Sequence, residues 1–417
     1  MTSNKPFGIW ENNCRKKTSQ KFLKVLNEKF LFTQNLNFMK RILSHHHQIA
    51  FAIFLLVFLF GCQKNIKDSG GPGNPHGDNS TNTSPKEFKD FVIRNLVADN
   101  TNMGAEKVDA NLKNGWGLAI SSTGQIRVNA EKVGVSGVYT LDGNIVSVPT
   151  YIPGSATSDG GVSRPTGHVY NATSDFKLPN GNPAQFISAS GDGSIAGWNS
   201  GNTAIRMVDN APGASYVGVT IASFAGSNYL YAANFRENKI DVYNNNWEKI
   251  LEQAAFNDPN LPADYSPFNV QTIDGMIYVT YAKKNAQTGE EETGNGKGYI
   301  NVFNPNGSLA KRFASGGKLN APWGIVEAPA GFWGSASQLT NMILVGNFGN
   351  GQINVFDENG NYMGALQSKG KPIEIDGLWG IAFPPATSFN STYLYFAAGP
   401  GTEQHGLMGY IKNLYLN

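Results

Sequence analysis

From Phe91 to the C-terminus, apolar and polar residues alternate in short runs, as in NYLYAAN (228–234) and KIDVYNN (239–245). Similar runs follow: GMIYVTYA and KGYINVFN, then NMILVGN and GQINVFD, then TYLYFAAG and GLMGYIKN. A period of two puts successive side chains on opposite faces of a strand. These runs are rich in β-branched and aromatic residues and are bounded by Gly, Asn and Asp, which marks strands joined by turns. No long run of helical period appears after Phe91, so the pattern predicts an all-β chain. The runs recur in register. Six stretches, GWGLAI, PTGHVYN, YVGVTIA, PFNVQTI, PWGIVEA and LWGIAF, carry Gly117, Gly167, Gly218, Asn269, Gly324 and Gly380 as their third residues. The intervals are 50, 51, 51, 55 and 56 residues.

A unit of about 50 residues with three or four strands is a propeller blade, and six units predict a six-bladed β-propeller over residues 89–417. The last unit ends near Lys412 with room for three good strands. Phe91–Val97, FVIRNLV, lies unassigned at the other end and is expected to supply the missing outer strand, closing the ring and removing an exposed edge. A right-handed β-helix is the alternative, but its rungs are usually much shorter.

One segment breaks the pattern. Ile49–Gly61, IAFAIFLLVFLFG, holds thirteen uncharged residues. That is short for a bilayer span, which needs about 20, and fits a signal-peptide core preceded by Lys40 and Arg41. The ending Leu59-Phe60-Gly61-Cys62 resembles the lipobox of bacterial lipoproteins, which implies cleavage before Cys62 and lipidation of its thiol; a buried cysteine ending an apolar helix is the other reading. The expected organisation is an upstream, dispensable extension (1–38), a signal peptide (39–61), an anchor and flexible tether (62–88), and the propeller. His45, His46 and His47 fall in the removed part. The polar segment SGGPGNPHGDNSTNTSP buries too little to offset its ordering entropy. The expected location is the cell envelope, with the membrane as partner through Cys62. The periplasmic leaflet, the outer membrane and the cell surface all stay open.

Charge and cysteine content refine this. Cys14 and Cys62 are the only cysteines, so no internal disulfide supports the propeller. Nine of the 33 Lys/Arg and two of the 31 Asp/Glu precede Cys62. The remaining chain therefore carries net charge −5 instead of +2, which argues against nucleic acid as a partner.

The motifs LKNGWGLAIS, SGDGSIAGWN, LYAANFRENKIDVY, DPNLPADYSPFNVQ, LNAPWGIVEAPAGF, LVGNFGNGQINVFD, IDGLWGIAF and GPGTEQHGLMG resemble an uncharacterised family of secreted bacterial six-bladed propellers, distantly similar to NHL-repeat proteins. The resemblance implies the fold and carries no activity. Two places depart from its pattern: RVNAEKVGVSGVYTLDG in the first blade, and His168 where an aliphatic residue is expected.

In a propeller, the turn leading into each innermost strand and the turn between the second and third strands lie on one face. The lead-in turns would bring Trp116, Phe268, Asn269, Trp323 and Trp379 there. NFRENK, NFGNGQ and GPGTEQHG would add Asn234, Arg236, Asn347, Glu403 and His405. Aromatic rings with a few polar groups suit a small molecule, a glycan or a protein surface. A binding module acting through this Trp/Asn-lined face is the first expectation. A lactonase-like or glycan-active hydrolase or lyase, using His405 and Glu403 as acid and base or a weakly bound metal, is the second. The alternative for the same residues is packing between blades and occupancy of turns. No G-x-S-x-G, H-E-x-x-H, CxxC or P-loop occurs. No cofactor is predicted. Calcium, which related propeller lactonases hold with Glu, Asn and Asp at the channel mouth, is only weakly supported by a ring of mostly Asn and Trp.

Overall fold

Each repeat forms one antiparallel sheet, and the six sheets surround a common axis as the blades of a propeller. The computed structural model describes residues 88–415 apart from 159–160, 251–254 and 335–336. The expected extension, signal peptide, Cys62 and expected tether up to residue 87 lie outside the described residues. The innermost strands are Gly115–Ile120, Pro165–Tyr170, Tyr216–Phe224, Tyr265–Ile273, Pro322–Ala328 and Leu378–Ala382.

The repeated glycine has a steric cause. A Cβ on Gly117 would lie 2.2 Å from the Thr166 carbonyl oxygen, and one on Gly167 would lie 2.7 Å from the Cα of Gly218. Gly324 would meet the Trp379 oxygen at 2.7 Å, and Gly380 the Trp116 oxygen at 2.8 Å. At the five glycine positions the innermost strand lies against the next one too closely for a Cβ, so glycine is required there. Blade 4 substitutes Asn269, whose Nδ2 donates to the Trp323 oxygen across the same contact at 2.9 Å. All six innermost strands are also bulged here, the ladder skipping register between residues such as Gly115 and Leu118 or Leu378 and Ile381. A bulge re-aims side chains at a strand end.

The ring closes as the pattern predicts. Phe91–Ala98 is antiparallel to Leu407–Asn413, with Phe91 opposite Asn413 and Ala98 opposite Leu407. It therefore becomes the outer strand of the sixth blade, outside Leu394–Ala398 and Leu378–Ala382. Val97 is fully buried and Phe91 nearly so. One boundary moves. Phe88, assigned to the tether by its polar surroundings, is fully buried, its ring centroid 5.4 Å from that of Trp333. The propeller begins at least at Phe88.

Candidate functional site

The bulges gather the predicted aromatics at one end of the channel. Trp116 stacks on Trp379 at 3.7 Å between centroids, and Phe348 stacks on Trp379 at 4.0 Å. Trp323 meets Trp379 edge-on at 5.9 Å, and Phe268 approaches it at 5.8 Å. The expected open, Trp-lined face is thereby corrected. The rings cover one another and plug the channel, Trp379 being 0% and Trp116 6% exposed. Trp323 Nε1 donates to the Val217 oxygen and Trp379 Nε1 to Asn114 Oδ1. Trp116 Nε1 is buried with no partner among the described residues.

The predicted amides are committed to backbone groups and neighbouring carboxylates. Asn234 accepts from the Ser215 nitrogen and donates to Glu237 and Asp241. Asn347 accepts from the Asn320 nitrogen and donates to the Lys318 oxygen. Both are fully buried, and with Asn269 they hold turns and interblade contacts together. Arg236 is exposed and donates to the Pro212 oxygen.

Directly above the plug lies a group of carboxylates. Asn114, whose oxygen receives Trp379 Nε1, donates through Nδ2 to Glu131 Oε2 at 3.1 Å and to Glu403 Oε2 at 3.2 Å. Arg164 Nε donates to the other oxygen of Glu131 at 2.5 Å. One amide thus holds acids from blades 1 and 6, and blade 2 supplies the guanidinium. Burial raises the Glu403 pKa above the ordinary carboxylate value, with the charges of Glu131 and Glu290 adding and those of Lys132 and Arg164 opposing. Glu291 belongs to an excursion between the second and third strands of blade 4, where Glu291–Glu292 pairs with Lys283 and Lys284. Burial pushes its pKa up to about 7, helped by Glu403 and Glu290 and opposed by Arg164. Lys284, the strand partner of Glu291, donates to the oxygens of Phe235 and Arg236 in the second-to-third turn of blade 3, so this excursion lies on the same face as those turns.

The turn that delivers Glu403 is strained. Gly401, Thr402 and Glu403 follow one another in the left-handed region at φ 66°, 53° and 63°. A β-branched residue there is an outlier, and such strain persists only where the surroundings impose it. The turn sends its two predicted residues apart. His405 Nδ1 lies 3.0 Å from Asp99 Oδ2 and 3.1 Å from Asn100 Nδ2. The carboxylate partner of His405 is therefore Asp99, buried in the turn after the closing strand, and not Glu403. Among the described residues no group of three or more His, Cys, Asp or Glu is placed to hold a metal ion.

Glu131 and Glu291 escape a reading by repeats because each comes from a segment where the repeats differ, and Asn114 and Arg164 because their shared position, three before the recurrent glycine, holds Ser, Ala or Gly in the other blades. Glu131 sits in the aberrant RVNAEKV turn, and Glu291 in the extra residues behind the 55-residue interval. Glu291 should leave a mark on stability. A carboxyl whose folded pKa lies above its unfolded value stabilises the fold fully below the unfolded pKa, and loses that contribution as pH rises through the folded one. Melting temperature should therefore fall between about pH 4.5 and 7. Glu291→Gln should flatten that slope and melt above wild type at pH 8; parallel pH profiles would contradict the placement of Glu291.

No protein-family model matches the chain. An uncharacterized protein of Acanthamoeba polyphaga mimivirus, R648, is 33% identical over 349 residues, covering 81% of this chain and 82% of its own length. A second from the same virus, L690, is 33% identical and covers 76% and 84%. These relatives are viral, whereas the motifs resembled a secreted bacterial family. Among solved structures, a streptogramin B lyase overlaps 78% of this chain and 99% of its own, with TM-score 0.47 and 11% identity. A gluconolactonase from Xanthomonas campestris overlaps 72% and 88%, with TM-score 0.43 and 12% identity. Likeness at that level says nothing about chemistry.

Proposed function

The chain belongs to the family of the mimivirus proteins R648 and L690, and from that premise we propose that its plugged channel end is an acid–base site of a hydrolase or lyase. The observation that carries this is the single Asn114 amide bridging Glu131 and Glu403. Carboxyls held side by side with different partners can divide the roles of acid and base. Glu131, ion-paired to Arg164, serves as the base. Glu403 and Glu291, held toward protonation by burial, are the proton donors. The substrate is a small polar molecule with a C–O bond to break, lactone- or glycoside-like, resting on the edge of Trp116. His405, turned to Asp99, lies outside this group of acids.

Lactones and oligosaccharides are the probes, screened for binding by thermal shift and then for product. Turnover with a proton-donating limb near pH 7 is expected. Ligands that bind and are never converted would instead make the propeller a binding module. The anchor is tested separately: labelled palmitate should mark the wild-type protein in cells and not Cys62→Ser, and label surviving the substitution would overturn lipidation.

A further inference from the structure

The two departures from the repeat pattern, the first-blade segment beginning at Arg127 and the histidine at 168, meet between blades 1 and 2. Arg127 pairs with Val138 and Asn129 with Ser136 in neighbouring strands, so all four share the face turned toward blade 2. Blade 2 answers with His168, Phe186 and Trp198. The Arg127 guanidinium carbon lies 3.6 Å from the centre of the Trp198 ring and 4.9 Å from that of Phe186. His168 packs on the same Phe186 at 5.5 Å.

This pocket is short of acceptors. Arg127 is only 3% exposed and no carboxylate among the described residues pairs with it. Its Nη1 donates to Thr150 Oγ1, while its Nε has no partner among the described residues. His168 Nδ1 and Ser136 Oγ are likewise buried and unpartnered. Burial, with the charge of Arg127, holds the His168 pKa down to about 3, so its ring is neutral. A buried cation without a counter-charge is costly. The two aromatic faces offset part of that cost but leave Nε unused.

We propose that blades 1 and 2 clamp a small inorganic monoanion of chloride size against Arg127 Nε, with Ser136 Oγ and the Nδ1-protonated tautomer of His168 as further donors. One guanidinium calls for one negative charge. A dianion would leave a net buried charge. The anion joins two blades where the sequence abandons the usual aliphatic packing.

The test uses the full chain and chloride itself. Melting temperature is measured in sodium chloride and in sodium methanesulfonate at matched ionic strength. A ligand bound only by the folded state raises it with concentration. On the order of 3 °C is expected between trace and 0.5 M chloride, and Arg127→Met should lose the dependence. If that variant does not fold, Ser136→Ala should weaken it. Crystals grown in bromide should show an anomalous peak within hydrogen-bonding distance of Arg127 Nε. Equal melting in both salts, or a peak there with no anomalous signal, as a water gives, would overturn the proposal.

Discussion

A chain that starts at residue 99 should show no cooperative unfolding transition, while one that starts at residue 88 should melt like the full-length protein. The first truncation removes Phe88, Phe91, Leu96 and Val97, all of them buried. At about 1.5–3 kcal/mol for each large apolar side chain, the loss is roughly 6–12 kcal/mol. That is comparable with the whole stability of a typical domain, about 5–15 kcal/mol. It also strips the partner from Leu407–Asn413 and leaves an open edge, which favours aggregation. Phe88 must be kept in the control, because its ring packs on Trp333 and fills the space beside Gly364. Circular dichroism melts of the two truncations decide the matter, and equal transitions would show that the closing strand does not hold the ring.

The second large effect belongs to Glu403. Replacing it by Gln leaves an oxygen to accept from Asn114 and removes the transferable proton. Turnover should fall about 10²–10⁴-fold, the usual contribution of general acid–base catalysis, while affinity changes little. His405→Ala should leave turnover far less affected, since its ring is tied to Asp99 and Asn100. Turnover that survives in Glu403→Gln and vanishes in His405→Ala would move the chemistry to the Asp99–His405 pair.

The fold was legible because propeller symmetry writes itself into spacing. Gly117, Gly167, Gly218, Gly324 and Gly380 recur because one steric demand recurs, and FVIRNLV stood out as a strand without a partner. The convergence of Trp116, Phe268, Trp323 and Trp379 followed from the same register. Their burial did not, because alternation tells which face a ring takes and not what the opposite blade puts against it. Of the carboxylates, Glu403 was named from its turn, whereas Glu131 and Glu291 were illegible for the opposite reason. The group draws on blades 1, 2, 4 and 6, at positions where the residues of the repeats differ. Glu131, Arg164 and Glu291 are separated by 33 and 127 residues and share no motif. The strained Gly401–Glu403 turn was visible only as GPGTEQHG, which suggested a His–Glu pair that the backbone in fact splays apart.

The most direct measurement is a crystal structure of Glu403→Gln with a lactone or oligosaccharide that wild type converts, trapped by slow turnover. Density is expected at the channel end, within hydrogen-bonding distance of Glu131 and residue 403 and against the edge of Trp116. Density instead in the open cleft of about 710 Å³ lined by Arg94, Glu106, Glu374 and Asp376 beside the closing strand, with the channel end unoccupied, would contradict the assignment of the site.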